Sequence, residues 1–255
     1  MTIFDAAILG VVEGITEFLP ISSTGHLILV SKLLQLPSTE FLSSFEIAIQ
    51  LGAILAVVLL FWRSFLNIEM LKRIIVAFIP TAVIGLALYS IVKTYLLDNV
   101  YVVLGALFFG GVLLLIFEHF HTEGPEAVCS PETITYKQSF LIGLFQSIAI
   151  VPGVSRSAAT ILGGLWIGIS RVAIVEFSFL LAVPTMAAAT SLDLLKNYQL
   201  FSAADFKLLA VGFGVSFVVA LIAIKFLLQY IRKHTFRPFG VYRILLAAFF
   251  LLLIL

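Results

Sequence analysis

The sequence predicts an all-α polytopic membrane protein with six transmembrane helices and two re-entrant helix hairpins in an inverted-topology repeat. Three observations predict this fold class: the composition, the spacing of long uncharged segments, and the recurrence of a broken-helix pattern. Of the 255 residues, 62% are hydrophobic and 11% are charged, and the mean hydropathy is +1.18. A soluble domain is usually about 45–50% apolar and about 25% charged. Such a chain cannot cover a water-exposed surface, so we expect it to lie in a lipid bilayer.

The composition also excludes several classes of protein. A single cysteine, Cys129, cannot form a disulfide framework within the chain, and a net charge of +1 offers no basic surface to nucleic acid. The first 25 residues lack a basic leading segment and contain Glu13 and Glu17, so we expect no cleavable signal peptide. The alternating polarity of outer-membrane strands is absent from the sequence, which favours helical spans.

The six predicted spans are segments with few or no charges. Several of them reach or approach the ~20 residues that a spanning helix needs. They cover about 45–63, 74–92, 100–118, 176–192, 208–226 and 239–255.

Two further apolar segments are interrupted by polar residues at their centres. Ala6–Leu36 and Gln138–Gly168 each consist of an apolar half-helix, a turn rich in Pro, Gly and Ser, and a second half-helix. Non-helical backbone at membrane depth survives only where it is buried in protein or lines a wet cavity. The two segments are therefore predicted to be re-entrant hairpins.

The hairpins also mark an internal repeat. Pro20-Ile-Ser-Ser recurs as Pro152-Gly-Val-Ser, which aligns the two prolines, and each hairpin is followed by three spans. Because three is odd, the halves must be inverted relative to each other. We expect one integral membrane domain over residues 1–255, with repeat one at about 1–118, an acidic linker at about 119–136 and repeat two at about 137–255.

The distribution of Lys and Arg predicts the orientation. The face that carries more of them is expected to be cytoplasmic, which places both termini and the open end of the first hairpin outside. The predicted cytoplasmic face carries Arg63, Lys72, Arg73, Lys137, Lys225, Arg232, Lys233 and Arg237. The predicted outer face carries Lys32, Lys93, Lys196 and Lys207.

The first turn carries ionisable and hydroxyl side chains. Glu13 and Glu17 are four residues apart, so both carboxylates share one helix face. Ionisable groups at membrane depth suggest a functional site, although simple hydrogen bonding to neighbouring helices is the alternative. A histidine alone, such as His26, is more often a satisfied core residue. Here Ser22-Ser23-Thr24-Gly25 precedes it, and this run predicts hydroxyls and free N–H groups at a helix N-terminus, which binds anions.

The second turn has the same construction with an added guanidinium. It reads Gly153-Val-Ser155-Arg156-Ser157, and arginine binds phosphate in a bidentate way. Together the two turns predict phosphoryl chemistry on a membrane-embedded substrate. A lipid-phosphate transporter or flippase is the alternative, because inverted repeats with broken helices are typical of carriers. A purely structural protein is disfavoured, since structure alone does not require these groups together.

Two motifs resemble the signatures of the undecaprenyl-diphosphatase (bacitracin-resistance) family: Glu13-Gly-Ile-Thr-Glu-Phe-Leu-Pro-Ile-Ser-Ser-Thr-Gly-His26 and Pro152-Gly-Val-Ser-Arg-Ser-Ala-Ala-Thr160. The resemblance implies hydrolysis of undecaprenyl diphosphate to undecaprenyl phosphate and inorganic phosphate, which recycles the lipid carrier of cell-wall synthesis. It also implies a bacterial inner (plasma) membrane location, a divalent metal (Mg²⁺ or Ca²⁺) and an active site facing the periplasm or exterior. Ala158 stands where the family often has Gly.

The resemblance assigns roles to the residues of the two turns. Arg156, Ser155 and Thr24 would hold the terminal phosphate, helped by the N–H groups of Thr24 and Gly25. Glu13 and Glu17 would bind the metal through oxygen ligands.

For the reaction itself, Ser23 is the first choice of nucleophile, with His26 as its base and Glu17 orienting the imidazole. Direct attack by His26, or a water activated by it, stays open.

Three further residues complete the expected substrate-binding set: Ser22, Ser157 and Gln50, although Gln50 could equally be a helix-packing amide. Arg243, near the end of a span, is expected to extend its charge toward the membrane surface. The sequence leaves the oligomeric state open, a homodimer included.

Overall fold

The computed structural model describes residues 1–96, 99–124, 127–197 and 205–254, with no side chain described at 93, 94, 194 or 254. Leu255 of the last predicted span, residues 125 and 126 of the predicted linker, and the side chain of Lys93 lie outside the described part.

The described residues form eleven α-helices. Within these ranges there is no β-strand, only an isolated bridge between Val128 and Ile169. The prediction of an all-α fold is confirmed. The helices are α1 Ile3–Thr16, α2 Ser23–Leu33, α3 Glu40–Leu60, α4 Trp62–Phe65, α5 Ile68–Ile91, α6 Val100–Phe120, α7 Tyr136–Ser147, α8 Arg156–Trp166, α9 Arg171–Asn197, α10 Asp205–Ile231 and α11 Arg237–Ile254.

Five of the helices are long and apolar enough to cross a membrane: α3, α5, α6, α9 and α10. The sixth predicted span corresponds to α11. The protein is therefore a multi-pass membrane protein.

Most of the spanning helices begin earlier than the uncharged segments that predicted them. The side chain of Thr39 accepts a hydrogen bond from the N–H of Leu42 at the start of α3, and Asn67 caps α5 in the same way. Glu40 and Glu69 then occupy the first turns, where a carboxylate is favoured by the helix dipole. Charged residues thus belong to the helix ends, which a count of uncharged residues leaves out.

Both predicted hairpins are present. Their arms, α1 with α2 and α7 with α8, contain 11 to 14 residues each and are too short to span a bilayer alone. At the turns the hairpins touch, because Ser157 Oγ donates a hydrogen bond of 2.8 Å to the carbonyl of Leu19. The two turns therefore meet inside the helical bundle.

The repeat is visible in the backbone. Thr2 and Thr135 each form a capping box at the start of a hairpin. Ser22 and Ser155 each cap its second arm with a φ of 71°. Both pairs define the same register, in which Pro20 corresponds to Gly153, so the register predicted from the two prolines is wrong by one position. The inverted relation of the halves stays a prediction.

Glycines allow the first arm of each hairpin to pack closely on another helix. A Cβ added at Gly10 of α1 would lie 2.6 Å from the carbonyl oxygen of Gly212 in α10. Gly143 of α7 occupies the corresponding position of the second repeat, and a Cβ there would lie 2.1 Å from the carbonyl oxygen of Ala77 in α5. Each hairpin is thus fixed against a span of the other half, which sets the depth of its turn.

We expect Gly143→Ala to lower the free energy of unfolding by about 1–3 kcal/mol, the usual cost of overpacking. The matched control is Gly214→Ala in α10, where a Cβ meets nothing within 4 Å. Thermal unfolding in detergent should show a lower midpoint for Gly143→Ala alone. Equal midpoints for the two variants would contradict the close packing of α7 on α5.

Candidate functional site

The two turns have the same local geometry. Ser22 and Ser155 both adopt a positive φ of 71°, a conformation that residues other than glycine rarely take and that clusters at functional sites. Ser22 Oγ accepts a hydrogen bond of 3.4 Å from the N–H of Gly25, and Ser155 Oγ accepts one of 3.2 Å from the N–H of Ala158. These caps begin α2 and α8 abruptly, at the place where the turns meet.

A cavity of about 140 Å³ lies between the turns. Seven of the residues predicted to form the site line it, together with apolar side chains that include Met186. Gln50 is among the seven, and its predicted role in substrate binding stays a prediction. The lining residues are Glu17, Ser22, Ser23, Thr24, Gln50, Ala149, Val151, Pro152, Gly153, Ser155, Arg156 and Met186.

Glu17 connects the two turns across this cavity. Ser23 Oγ donates a short hydrogen bond to Glu17 Oε2, and Arg156 Nη2 donates one of 3.0 Å to Glu17 Oε1. Both partners of the ion pair are largely buried, with side chains 12% and 7% exposed. A single carboxylate therefore holds the hydroxyl of one turn and the guanidinium of the other.

The guanidinium of Arg156 is fixed from a second side. Its Nη1 donates a hydrogen bond of 2.9 Å to the carbonyl of Ser178 in α9, whose hydroxyl lies 2.6 Å from that of Thr160 in α8. Nε is buried and has no partner among the described residues. This donor is left over for a ligand at the site.

Ser157 does not line the cavity, which corrects its predicted role in substrate binding. Its hydroxyl is fully buried, donates to the carbonyl of Leu19 and lies 3.1 Å from Ser155 Oγ. The Ser157 hydroxyl therefore joins the two turns to each other. Gly25 likewise lies outside the cavity, and its N–H is bound by Ser22 Oγ.

His26 is also turned away from the cavity. Its Nδ1 lies 2.7 Å from the carbonyl oxygen of Ser22, and its Nε2 lies 2.8 Å from the hydroxyl of Tyr242, whose ring is parallel to the imidazole. The predicted chain from Glu17 through His26 to Ser23 is therefore not formed. Both ring nitrogens are already engaged, Nδ1 by the Ser22 carbonyl and Nε2 by the Tyr242 hydroxyl, so neither is bound to Ser23 or Glu17.

Glu13 lies one helical turn before Glu17 and is fully buried. Neither of its carboxylate oxygens has a hydrogen-bond partner among the described residues. Unpaired buried carboxylate oxygens suit a hard divalent cation. In the described part of the chain no group of three or more His, Cys, Asp or Glu side chains could hold a metal ion, and Glu13 itself does not line the cavity.

Three further residues shape the site: two gave no signal in the sequence, and one was misinterpreted. Ser178 and Tyr242 gave no signal, because each lies in an ordinary apolar helix. Arg243 gave a signal that was misinterpreted: it is fully buried, and its guanidinium contacts both turns instead of extending to the membrane surface. A charge inside an otherwise apolar span is functional by default.

The chain matches one known protein family over nearly its whole length. A sequence model of the family described as "Bacitracin resistance protein BacA" matches residues 6–249. The chain is 53% identical over 252 residues to an undecaprenyl-diphosphatase from Sulfurihydrogenibium sp. (strain YO3AOP1), with 99% of each chain covered. It is 49% identical over 256 residues to one from Aquifex aeolicus, covering 98% of this chain and 100% of the relative. The chain belongs to the bacitracin resistance protein BacA family.

Proposed function

We propose that this protein hydrolyses undecaprenyl diphosphate to undecaprenyl phosphate and inorganic phosphate, thereby recycling the lipid carrier for cell-wall synthesis and giving bacitracin resistance. The observation that carries the proposal is the meeting of Ser23, Glu17 and Arg156 at one cavity between the two turns. Relatives named undecaprenyl-diphosphatase that match the full length of the chain support the same substrate.

Arg156 and the starts of α2 and α8 form the phosphate-binding part of the proposed site. A guanidinium donates parallel, charge-assisted hydrogen bonds to phosphate oxygens, and a helix N-terminus adds N–H groups and a favourable dipole. Ser155 and Thr24 line the same cavity and provide hydroxyl donors. Phosphoryl transfer depends mainly on such positioning and on stabilising charge at the transferred oxygens.

Ser23 is the proposed nucleophile, and Glu17 replaces His26 as its proposed base. The Ser23 hydroxyl already donates its hydrogen bond to the carboxylate, so the proton passes to Glu17 as Oγ attacks the terminal phosphorus. The bond from phosphorus to the bridging oxygen breaks, and undecaprenyl phosphate leaves. Glu17 passes this proton to solvent and then accepts one from the water that attacks the phosphoserine. The phosphorus–Oγ bond breaks, Oγ takes that proton from Glu17, and inorganic phosphate is released. A carrier that only moves lipid does not require a serine hydroxyl that is hydrogen-bonded to a carboxylate, as Ser23 is to Glu17.

Glu13 and Glu17 are the proposed ligands of a divalent cation, Mg²⁺ or Ca²⁺. The two unpaired oxygens of Glu13 fit such an ion, which Glu13 and Glu17 would hold. When bound there, the cation would supply positive charge to offset the negative charge of the diphosphate.

The proposed location is the bacterial inner (plasma) membrane, with the site facing the periplasm or exterior. The excess of Lys and Arg on the opposite face supports this orientation.

Arg156→Lys should lower kcat/KM for phosphate release by about 10²–10³, comparable to the loss of one preorganised donor. The ammonium keeps the charge but cannot bind a phosphate and Glu17 with parallel bonds. The exposed Arg232→Lys serves as the matched control and should keep wild-type activity. Normal hydrolysis by purified Arg156→Lys would overturn the phosphate-binding role.

EDTA should inhibit phosphate release by the wild type, and added Mg²⁺ or Ca²⁺ should restore it. Glu13→Gln, which keeps the size of the side chain but removes its charge, should require a higher cation concentration for half-maximal activity. Glu40→Gln, at an exposed position, is the control. The metal proposal is wrong if the wild type keeps full activity in EDTA.

The orientation is tested with single cysteines in a Cys129→Ser background. Lys196→Cys should react with a membrane-impermeant thiol reagent added outside intact cells, whereas Lys72→Cys and Arg232→Cys should react only after the cells are opened. All three positions are exposed. The opposite labelling pattern would place the site on the cytoplasmic face.

A further inference from the structure

Arg243 of α11 is bound by backbone from three different parts of the chain. Nη1 donates hydrogen bonds to the carbonyls of Pro20 at 3.3 Å and Val154 at 3.2 Å. Nη2 donates to the carbonyl of Gly153 at 3.1 Å and again to that of Val154 at 3.2 Å. The guanidinium is completed by the carbonyls of Leu107 and Ala106 in α6. One side chain thus connects the first turn, the second turn and α6.

The charge of this guanidinium is not paired with a carboxylate among the described residues. The side chain is 0% exposed, so its charge is compensated there by carbonyl dipoles alone. Burying an ion without a counter-charge costs several kcal/mol. Such a cost is tolerated where the group fixes a functional geometry, and here the acceptors belong to the two turns that form the cavity.

Helix α6 leaves room for the Arg243 guanidinium at Gly110, which has no side chain. A Cβ added at Gly110 of α6 would lie 2.2 Å from Nη2 of Arg243. Gly110 and Arg243 occupy corresponding positions of the two repeats, in the register that pairs Ser22 with Ser155. The two halves therefore differ at this position, since one provides the arginine and the other the space for it.

We propose that Arg243 is a positioning residue for the hydrolysis, which holds the first and second turns in register. This inference rests on the proposed function. The Pro20 carbonyl lies three residues before Ser23, and the Val154 carbonyl lies two residues before Arg156. When Arg243 no longer binds these carbonyls, the position of the Ser23 hydroxyl relative to the Arg156 guanidinium is no longer fixed. A misplacement of about 1 Å can cost about 10²-fold in rate.

The test compares two glycines of the same helix. Gly110→Ala places a methyl group against the guanidinium, whereas Gly105→Ala meets nothing within 4 Å. We expect Gly110→Ala to lower kcat by about 10- to 100-fold with little change in KM. Gly105→Ala should keep the kcat of the wild type, and the folded fraction of both variants at the assay temperature should match the wild type.

A double variant distinguishes positioning from simple destabilisation. In the Arg243→Lys background, Gly110→Ala should have little further effect on kcat, because the guanidinium that the methyl group displaces is already absent. Multiplying losses in the double variant would overturn the proposal. Wild-type kcat in Gly110→Ala, or a loss that only follows the unfolded fraction, would overturn it as well.

Hydrogen exchange separates this inference from the proposed function. Backbone amides of residues 19–25 and 152–158 should exchange faster in Gly110→Ala than in Gly105→Ala, whatever reaction the protein catalyses. Equal exchange in the two variants would overturn the role of Arg243. Faster exchange in Gly110→Ala, together with a wild type that releases no phosphate, would uphold the joining of the turns and refute the proposed function.

Discussion

The ion pair between Glu17 and Arg156 is the interaction on which the site depends. The two residues come from different halves of the chain and meet in a poorly hydrated environment, where either charge alone would be costly. The pair requires both turns to reach the same depth, so it explains why the hairpins are short and packed tightly through glycine. A charge pair that is costly in stability and located at a cavity is better understood as part of a reaction site than as a source of stability.

The two halves share a backbone plan but divide the chemistry between them. In the register of the repeat, Glu13 corresponds to Gln146 and Ser23 to Arg156. The first half therefore supplies the carboxylates and the hydroxyl, and the second half supplies the guanidinium. Gln146 binds Thr81 with its amide nitrogen and remains in a neutral, buried network. Neither half contains a complete phosphoryl-transfer site, so the active arrangement exists only where the two turns meet.

Much of this could be predicted from the sequence, because membrane burial leaves a strong compositional signal. Long uncharged segments predicted the spans, and the interrupted segments predicted both hairpins. Glu17, Ser23 and Arg156 stood out because charged and hydroxyl groups are rare at membrane depth. The details that escaped prediction depend on directions that the order of residues does not contain. The orientation of His26 is decided by a backbone carbonyl one turn away and by Tyr242, which is far away in the chain. The burial of Arg243 depends on an empty position at Gly110 in another helix.

The central claim is that the two turns act as one site, and a double-mutant cycle on phosphate release tests it most directly. Ser23→Ala removes the hydroxyl of the first turn, Arg156→Lys removes the bidentate donor of the second, and the double variant removes both. Residues that act as a unit show strongly non-additive losses. We therefore expect kcat/KM for undecaprenyl diphosphate in the double variant to be no lower than in the less active of the two single variants. If the two losses multiply instead, as they do for independent positions, the turns do not form a single catalytic site.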